Sequence, residues 1–237
     1  MVKFDTDKLR TLCEPFISLD DTALTRLSDY GNLLLEWNEK INLTAITEPD
    51  EVLIKHFYDC LLFFKNIEVP QGASVIDVGT GAGFPGIVLA IARPDIKLCL
   101  LDSLNKRINF LREVCDKLSL SAVAVHSRAE EGARKPEHRE QYDIACARAV
   151  AALPTLAEYC MPYVKEGGRF VAMKGPSAEE EIKAAYTAIK TLGGEKAVLL
   201  KETLPDESAR SFVIVKKISQ TPTKYPRTSA KIAKQPL

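Results

Sequence analysis

The chain reads as an α/β protein, with a mostly parallel sheet, an antiparallel C-terminal hairpin and a helical extension in front. Three observations predict this. Residues 73–103, ASVIDVGTGAGFPGIVLAIARPDIKLCLLDS, run from an apolar segment around Asp77 through Gly79, Gly81, Gly83 and Gly86 into a short apolar helix. A break at Pro94 and a second apolar run ending at Asp102 complete a strand, turn, helix, strand unit. Further short apolar runs then alternate with helical periods. Finally, β-rich runs at 197–203 and 211–217 are joined only by residues 204–210, which makes them an antiparallel hairpin.

In chain order, residues 5–17 and 20–41 are helical, with Leu24, Leu27, Leu34, Trp37 and Ile41 on one stripe and Asp20, Asp21 and Thr22 as caps. Trp37, Asn38, Asn42, Leu43 and Thr44 cluster where that helix stops, with Trp37 expected in the core. Thr47-Glu-Pro-Asp50 caps a further helix over 50–64, which places His56 and Asp59 three apart on one face. A base and its orienter could be built this way, but no nucleophile stands beside them, so a structural or RNA-lining pair is expected. Residues 104–118 form a helix showing Lys106, Arg107 and Arg112 to solvent, and 122–125 a third strand. The fourth strand, 142–147, ends at Arg148; the fifth, 167–174, ends at Lys174; a helix follows over 178–192. Three regions result: a helical extension (1–66), an α/β domain (67–218) and a basic, proline-containing tail (219–237) that reads as loosely ordered.

Composition narrows the class. Hydrophobic residues at 46% and charged residues at 27% suit a globular chain with a sizeable core. The formal net charge is zero, so only local patches, such as Lys224, Arg227, Lys231 and Lys234 in the tail, point to a polyanion. The six cysteines are scattered without a C-x-x-C pair, which predicts buried thiols in a reducing cytoplasm and no metal site. The charged start MVKFDTDKLR does not fit a signal peptide, and no apolar run approaches the ~20 residues that span a bilayer. A cytoplasmic protein is expected.

The glycine loop carries the chemistry. Glycines there let the backbone turn tightly and approach a ligand, and an acid ending the second strand, Asp102 with Ser103 after it, can accept hydrogen bonds from ribose hydroxyls. Gly81, Gly83 and Gly86 also satisfy the dinucleotide fingerprint, so an NAD-dependent oxidoreductase is the alternative reading. Asp77 argues against it, because a carboxylate before the loop would repel a pyrophosphate and suits the cationic methionine part of S-adenosylmethionine. Tyr186 and Lys190 match a dehydrogenase pair but fall on a surface helix after the fifth strand. Ala129 and Glu130, past the third strand, are placed to hold adenine. Arg148 is positioned for a carboxylate or an RNA phosphate, and Phe84 and Tyr225 are candidates for stacking.

The stretch around Asp77 resembles motif I of the class I methyltransferases, D/E-x-G-x-G-x-G, a Rossmann-like fold. The resemblance extends along nearly the whole chain: WNEKINLT (37–44), IKHFYDCL (54–61), DVGTGAGFPGI (77–87), LLDSLNKRINFL (100–111), SRAEE (127–131), ARAVAAL (147–153), MKGP (173–176) and TPTKYPR (221–227). Together these are similar to the bacterial 16S rRNA guanine-N7 methyltransferase family also called glucose-inhibited division protein B. The resemblance implies S-adenosylmethionine as donor and 16S rRNA or the 30S subunit as partner. It implies cofactor contacts at Gly79, Phe84, Ala129, Glu130 and Arg148, and basic positions for RNA or activity at Arg128, Lys174 and Arg210. Arg148 and Lys174 are the catalytic candidates, and Lys224, Tyr225 and Arg227 the tail contacts to RNA. Neither an N/D-P-P-aromatic turn nor a strand-end Pro-Cys is present, which agrees with a ring nitrogen that needs no deprotonation.

Overall fold

A computed structural model describes residues 2–237. The extension comprises α1 (Thr6–Cys13), α2 (Asp21–Asn38), α3 (Pro49–Val52), a π-helical segment (Leu53–Tyr58) and α4 (Asp59–Asn66). The domain follows as β1 (Ser74–Val78), α5 (Gly86–Ala92), β2 (Lys97–Asp102), α6 (Asn105–Lys117), β3 (Ala122–His126), α7 (Ala129–Gly132) and β4 (Tyr142–Arg148). It continues with α8 (Leu153–Cys160), a 3-10 turn (Met161–Tyr163), β5 (Val164–Lys174), α9 (Ala178–Thr191), β6 (Val198–Thr203) and β7 (Ala209–Lys216). A last helix, α10 (Ser229–Lys234), lies in the tail.

The seven strands have the order β3-β2-β1-β4-β5-β7-β6. The first five are parallel, and β7 runs antiparallel between β5 and β6, as the C-terminal hairpin predicts. The order reverses between β1 and β4, so the loops leaving their carboxyl ends diverge and open a crevice there.

Strand alternation assigns residues to two apolar layers. Val75, Leu98, Leu100, Ile144 and Cys146 face the extension together with α5 and α6, whereas Ile76, Val78, Leu101, Ala145 and Ala147 face α8 and α9. The same alternation turns Asp77 and Arg148 toward the extension. Its helices therefore help build one of the two apolar layers, with Leu9, Leu27, Leu34, Phe57 and Phe63 fully or almost fully buried. Trp37, expected in the core, is half-buried at its edge, packed on Phe110 at 5.6 Å.

Two expectations are corrected. The helix over 50–64 is not regular, because residues 53–58 widen into a π turn that carries His56, a departure common where side chains must be re-aimed. The tail is not loose: Thr221, Tyr225 and Ile232 are buried, and charged groups from distant elements hold its backbone. All six cysteines are buried free thiols. Among the described residues no helix is long and apolar enough to cross a membrane, and no group of three His, Cys, Asp or Glu could hold a metal ion.

Candidate active site

The crevice at the β1/β4 switch has a volume of about 290 Å³. The ends of β1, β2 and β3 bring Gly79, Asp102, Ser103, Arg128, Ala129 and Glu130 into its lining, together with Ala149 and Val150 after β4. Sequence reasoning expected five of the first six as cofactor contacts and Arg128 as a contact to RNA. It missed Arg107, Ser127, Val150, Tyr159 and Ser229. Tyr159 lies on the far end of α8 and Ser229 in the tail, so only tertiary packing reveals them.

Local chemistry explains the loop. Gly79 adopts φ +69°, and a Cβ there would lie 2.9 Å from a Val150 methyl, so the turn after β4 closes directly over a glycine. Gly81 also has positive φ and faces open space, a cradle that a side chain would fill. Its amide donates to Asp102 Oδ2 at 3.0 Å, and the Leu104 amide to Oδ1 at 2.8 Å. Arg107 Nη1 stands 3.4 Å from Oδ2. A carboxylate has about four acceptor sites, so Asp102 is oriented by its own backbone and keeps capacity for a ligand hydroxyl. Ala149, a non-glycine residue at φ +57°, turns the chain so that Arg148 points inward and Val150 outward over Gly79.

Asp77 does not line the crevice. Its fully buried carboxylate accepts from Thr80 Oγ1 at 2.7 Å and the Gly86 amide at 2.8 Å, both through Oδ2. Burial pushes its pKa up to about 6 against those two bonds. It shapes the glycine loop and caps α5 from behind, and its Oδ1 is buried without a hydrogen bond.

Phe84 and Arg148 are likewise behind the crevice. Phe84 is buried beside Tyr30 (5.4 Å) and His56 (4.4 Å), and the Arg148 guanidinium lies over its ring at 4.7 Å. Arg148 Nη1 donates to Asp59 Oδ2 at 2.9 Å and to the Lys55 carbonyl at 3.1 Å, while Nη2 lies 3.2 Å from His56 Nδ1. Of the two partners expected for Arg148, a carboxylate or an RNA phosphate, the structure supplies a carboxylate, and it is the protein's own buried Asp59 in the extension. Arg210 Nε, 3.2 Å from Asp59 Oδ1, makes an ion contact from β7 without hydrogen-bond alignment, so Arg210 is also engaged. Burial raises the pKa of Asp59, opposed by Arg148 and Arg210. Burial, then Arg148, pushes His56 down to about 3, so it is neutral. Its Nδ1 lies between Arg148 Nη2 at 3.2 Å and the Lys55 carbonyl at 3.1 Å, and its Nε2 is 2.8 Å from Thr44 Oγ1. The pair read as structural or RNA-lining from sequence is structural, and its missing third member was Arg148.

Lys174 is spent as well. Its Nζ donates to the Ala151 carbonyl at 2.6 Å and to Glu181 Oε2 at 2.7 Å, and that oxygen also accepts from the Leu153 amide. Lys174 therefore pins the turn that carries Val150. In the tail, Tyr225 is buried and Arg227 binds the fully buried Glu158, Nη2 to Oε2 at 2.6 Å, so neither is available to RNA. Arg128 and Lys224 are exposed and have no acidic partner among the described residues.

A family model described as rRNA small subunit methyltransferase G matches residues 23–208. The chain is 53% identical over 221 residues to the ribosomal RNA small subunit methyltransferase G of Desulforamulus reducens, covering 92% of each chain. It is 54% identical over 234 residues to the protein of that name from Clostridium perfringens strain SM101, covering 98% of each. Among solved structures, an O-methyltransferase from Bacillus cereus in complex with SAH has a TM-score of 0.56 at 17% identity, covering 80% of this chain and 91% of that one. A SAM-dependent O-methyltransferase from Thermotoga maritima has a TM-score of 0.52 at 16% identity, covering 80% and 73%. At such identity these two share the fold. The oxidoreductase alternative has no support, and Tyr186 is 60% exposed on α9.

Proposed function

Because this chain belongs to the rRNA small subunit methyltransferase G family, we propose that it transfers the methyl group of S-adenosylmethionine to N7 of a guanine in 16S rRNA. The observation that carries the reading is the convergence of Gly79, Asp102, Ser103, Ala129 and Glu130 on one crevice at the sheet's switch point. These residues fit the cofactor: an oriented carboxylate with spare acceptor sites suits ribose hydroxyls, and the open space at Gly81 admits a ligand against the backbone. When bound, S-adenosylmethionine supplies a methyl group made electrophilic by its sulfonium.

The protein's part is then placement. Guanine N7 carries a free lone pair, so no residue has to remove a proton before transfer. Alignment of two reactants can be worth an effective molarity of ~10⁵ M or more, and here it falls to a wall that does not yield. Arg148, through Phe84 and Asp59, fixes the floor of the glycine loop against the extension, and Lys174 fixes the turn bearing Val150. Both are positioning residues in this reading. Val150, 37% exposed at the mouth, and the exposed Arg128 give the acceptor an apolar contact beside a cation. The N7 edge lies in the deep, narrow major groove of A-form RNA, so the base has to come from an open loop or be turned out.

The test is incorporation of labelled methyl from S-adenosylmethionine into naked 16S rRNA, assembly intermediates and 30S subunits. Formation of 7-methylguanine in at least one supports the reading; none in any of the three refutes it.

A further inference from the structure

We propose that the C-terminal segment, residues 218–237, forms the outer wall of the cofactor crevice, with Tyr159 and Ser229 closing it around the adenosine half of the ligand. The proposal rests on the reading of the crevice as the S-adenosylmethionine site.

The segment crosses the face of the domain as a strap with charged anchors. At its start, Lys217 is fully buried, and its Nζ reaches Glu140 Oε1 at 3.0 Å and Thr221 Oγ1 at 2.8 Å. In the middle, Arg139 donates to the carbonyls of Thr221 at 2.8 Å and Tyr225 at 2.9 Å. Near the end, Arg227 grips Glu158 through Nη2 and Nε, and its backbone amide donates to the same carboxylate at 2.7 Å. Beyond that, Ile232 is fully buried.

The last anchor is the informative one. Glu158 is fully buried on α8, and the next residue, Tyr159, lines the crevice. Ser229, two residues past Arg227, lines it from the strap, and α10 packs on α8. One ion pair thereby sets the register of both wall residues. Replacing a buried ion pair by apolar residues is often neutral or stabilising, and a best-attested use of such pairs is to fix register. Here the register delivers two side chains to a ligand cavity. Both share that lining with Ser127, Ala129 and Glu130, past β3, and α8 packs on α7, which carries Ala129 and Glu130.

Titration calorimetry of S-adenosylmethionine and S-adenosylhomocysteine into the full-length protein tests this, with thermal melts run alongside. In Ser229→Trp the indole enters the crevice, and in Tyr159→Ala an aromatic wall is lost. Each variant is expected to bind both ligands about tenfold more weakly or worse, since the two share their adenosine half, and Ser229→Trp is expected to melt with the wild type. Affinities within about twofold of wild type in both variants overturn the proposal, and so does a fall in melting temperature with unchanged affinity, which makes the strap structural only. A loss confined to S-adenosylmethionine places the strap at the sulfonium end and overturns the adenosine assignment. A wild-type protein that binds neither ligand removes the reading of the site itself.

Discussion

Substituting Arg148 by Ala removes a guanidinium that touches Asp59, the Lys55 carbonyl, His56 and the face of Phe84 at once. Asp59 is left as a carboxylate 2% exposed, with Oδ1 lacking any hydrogen bond and only Arg210 alongside. Breaking a buried pair from one side costs about 3–5 kcal/mol, a large part of the 5–15 kcal/mol that typically separates folded from unfolded chains. For a chain of this size a loss of that order lowers the melting temperature by roughly 10 °C. Urea denaturation at pH 7 measures the loss. The double variant Arg148→Met/Asp59→Leu, which removes both charges and keeps apolar volume, is expected to recover most of it, because an absent pair leaves no orphan. Methyl transfer falls in Arg148→Ala through the displaced loop. A single variant within 1 kcal/mol of wild type, or a double variant no better than the single, refutes the argument that Arg148 is a buried structural partner and returns it to the ligand-facing role read from sequence.

Other predictions follow from the same geometry. His56, held neutral with its pKa near 3, destabilises the fold as pH drops below its unfolded value near 6.5, because only the unfolded chain then takes the proton. His56→Gln is expected to lose less stability than wild type between pH 7 and pH 4.5 in urea titrations; Asp77, raised to about 6, acts with the opposite sign in both proteins and cancels in the difference. Asp102→Ala is expected to weaken S-adenosylmethionine binding by tens-fold to about a hundredfold, the loss of hydrogen bonds to a charged acceptor, measured by calorimetry. Arg128→Ala and Lys224→Ala are each expected to lower the salt slope of rRNA binding by about one, whereas Lys174→Met changes it little, since that charge is already paired with Glu181.

What the sequence made legible is what backbone geometry dictates locally. The glycine loop, Asp102 and the Ala129–Glu130 corner are sites where one residue type is demanded at one step of the chain, and the hairpin is written in two β-rich runs with a short link. The partners of those residues were not legible. Arg148 and Asp59 are 89 positions apart, and the π turn that brings His56 beside them has no residue signature, only a shifted hydrogen-bond pattern. The tail misled for the same reason: its prolines and lysines read as loose, and its order comes from Arg134, Arg139, Glu140 and Glu158, acting from elsewhere in the fold. Charge alone could not separate a cation spent on an internal carboxylate, as in Lys174 and Arg227, from one left for a polyanion, as in Arg128 and Lys224.

The most direct measurement is a map of 7-methylguanine in 16S rRNA from cells that lack this gene, then carry it as wild type or as Asp102→Ala. One 7-methylguanine is expected to vanish with the gene, return with the wild-type chain and stay absent with the variant. The same modification level in all three strains contradicts the assignment of methyl transfer to this crevice.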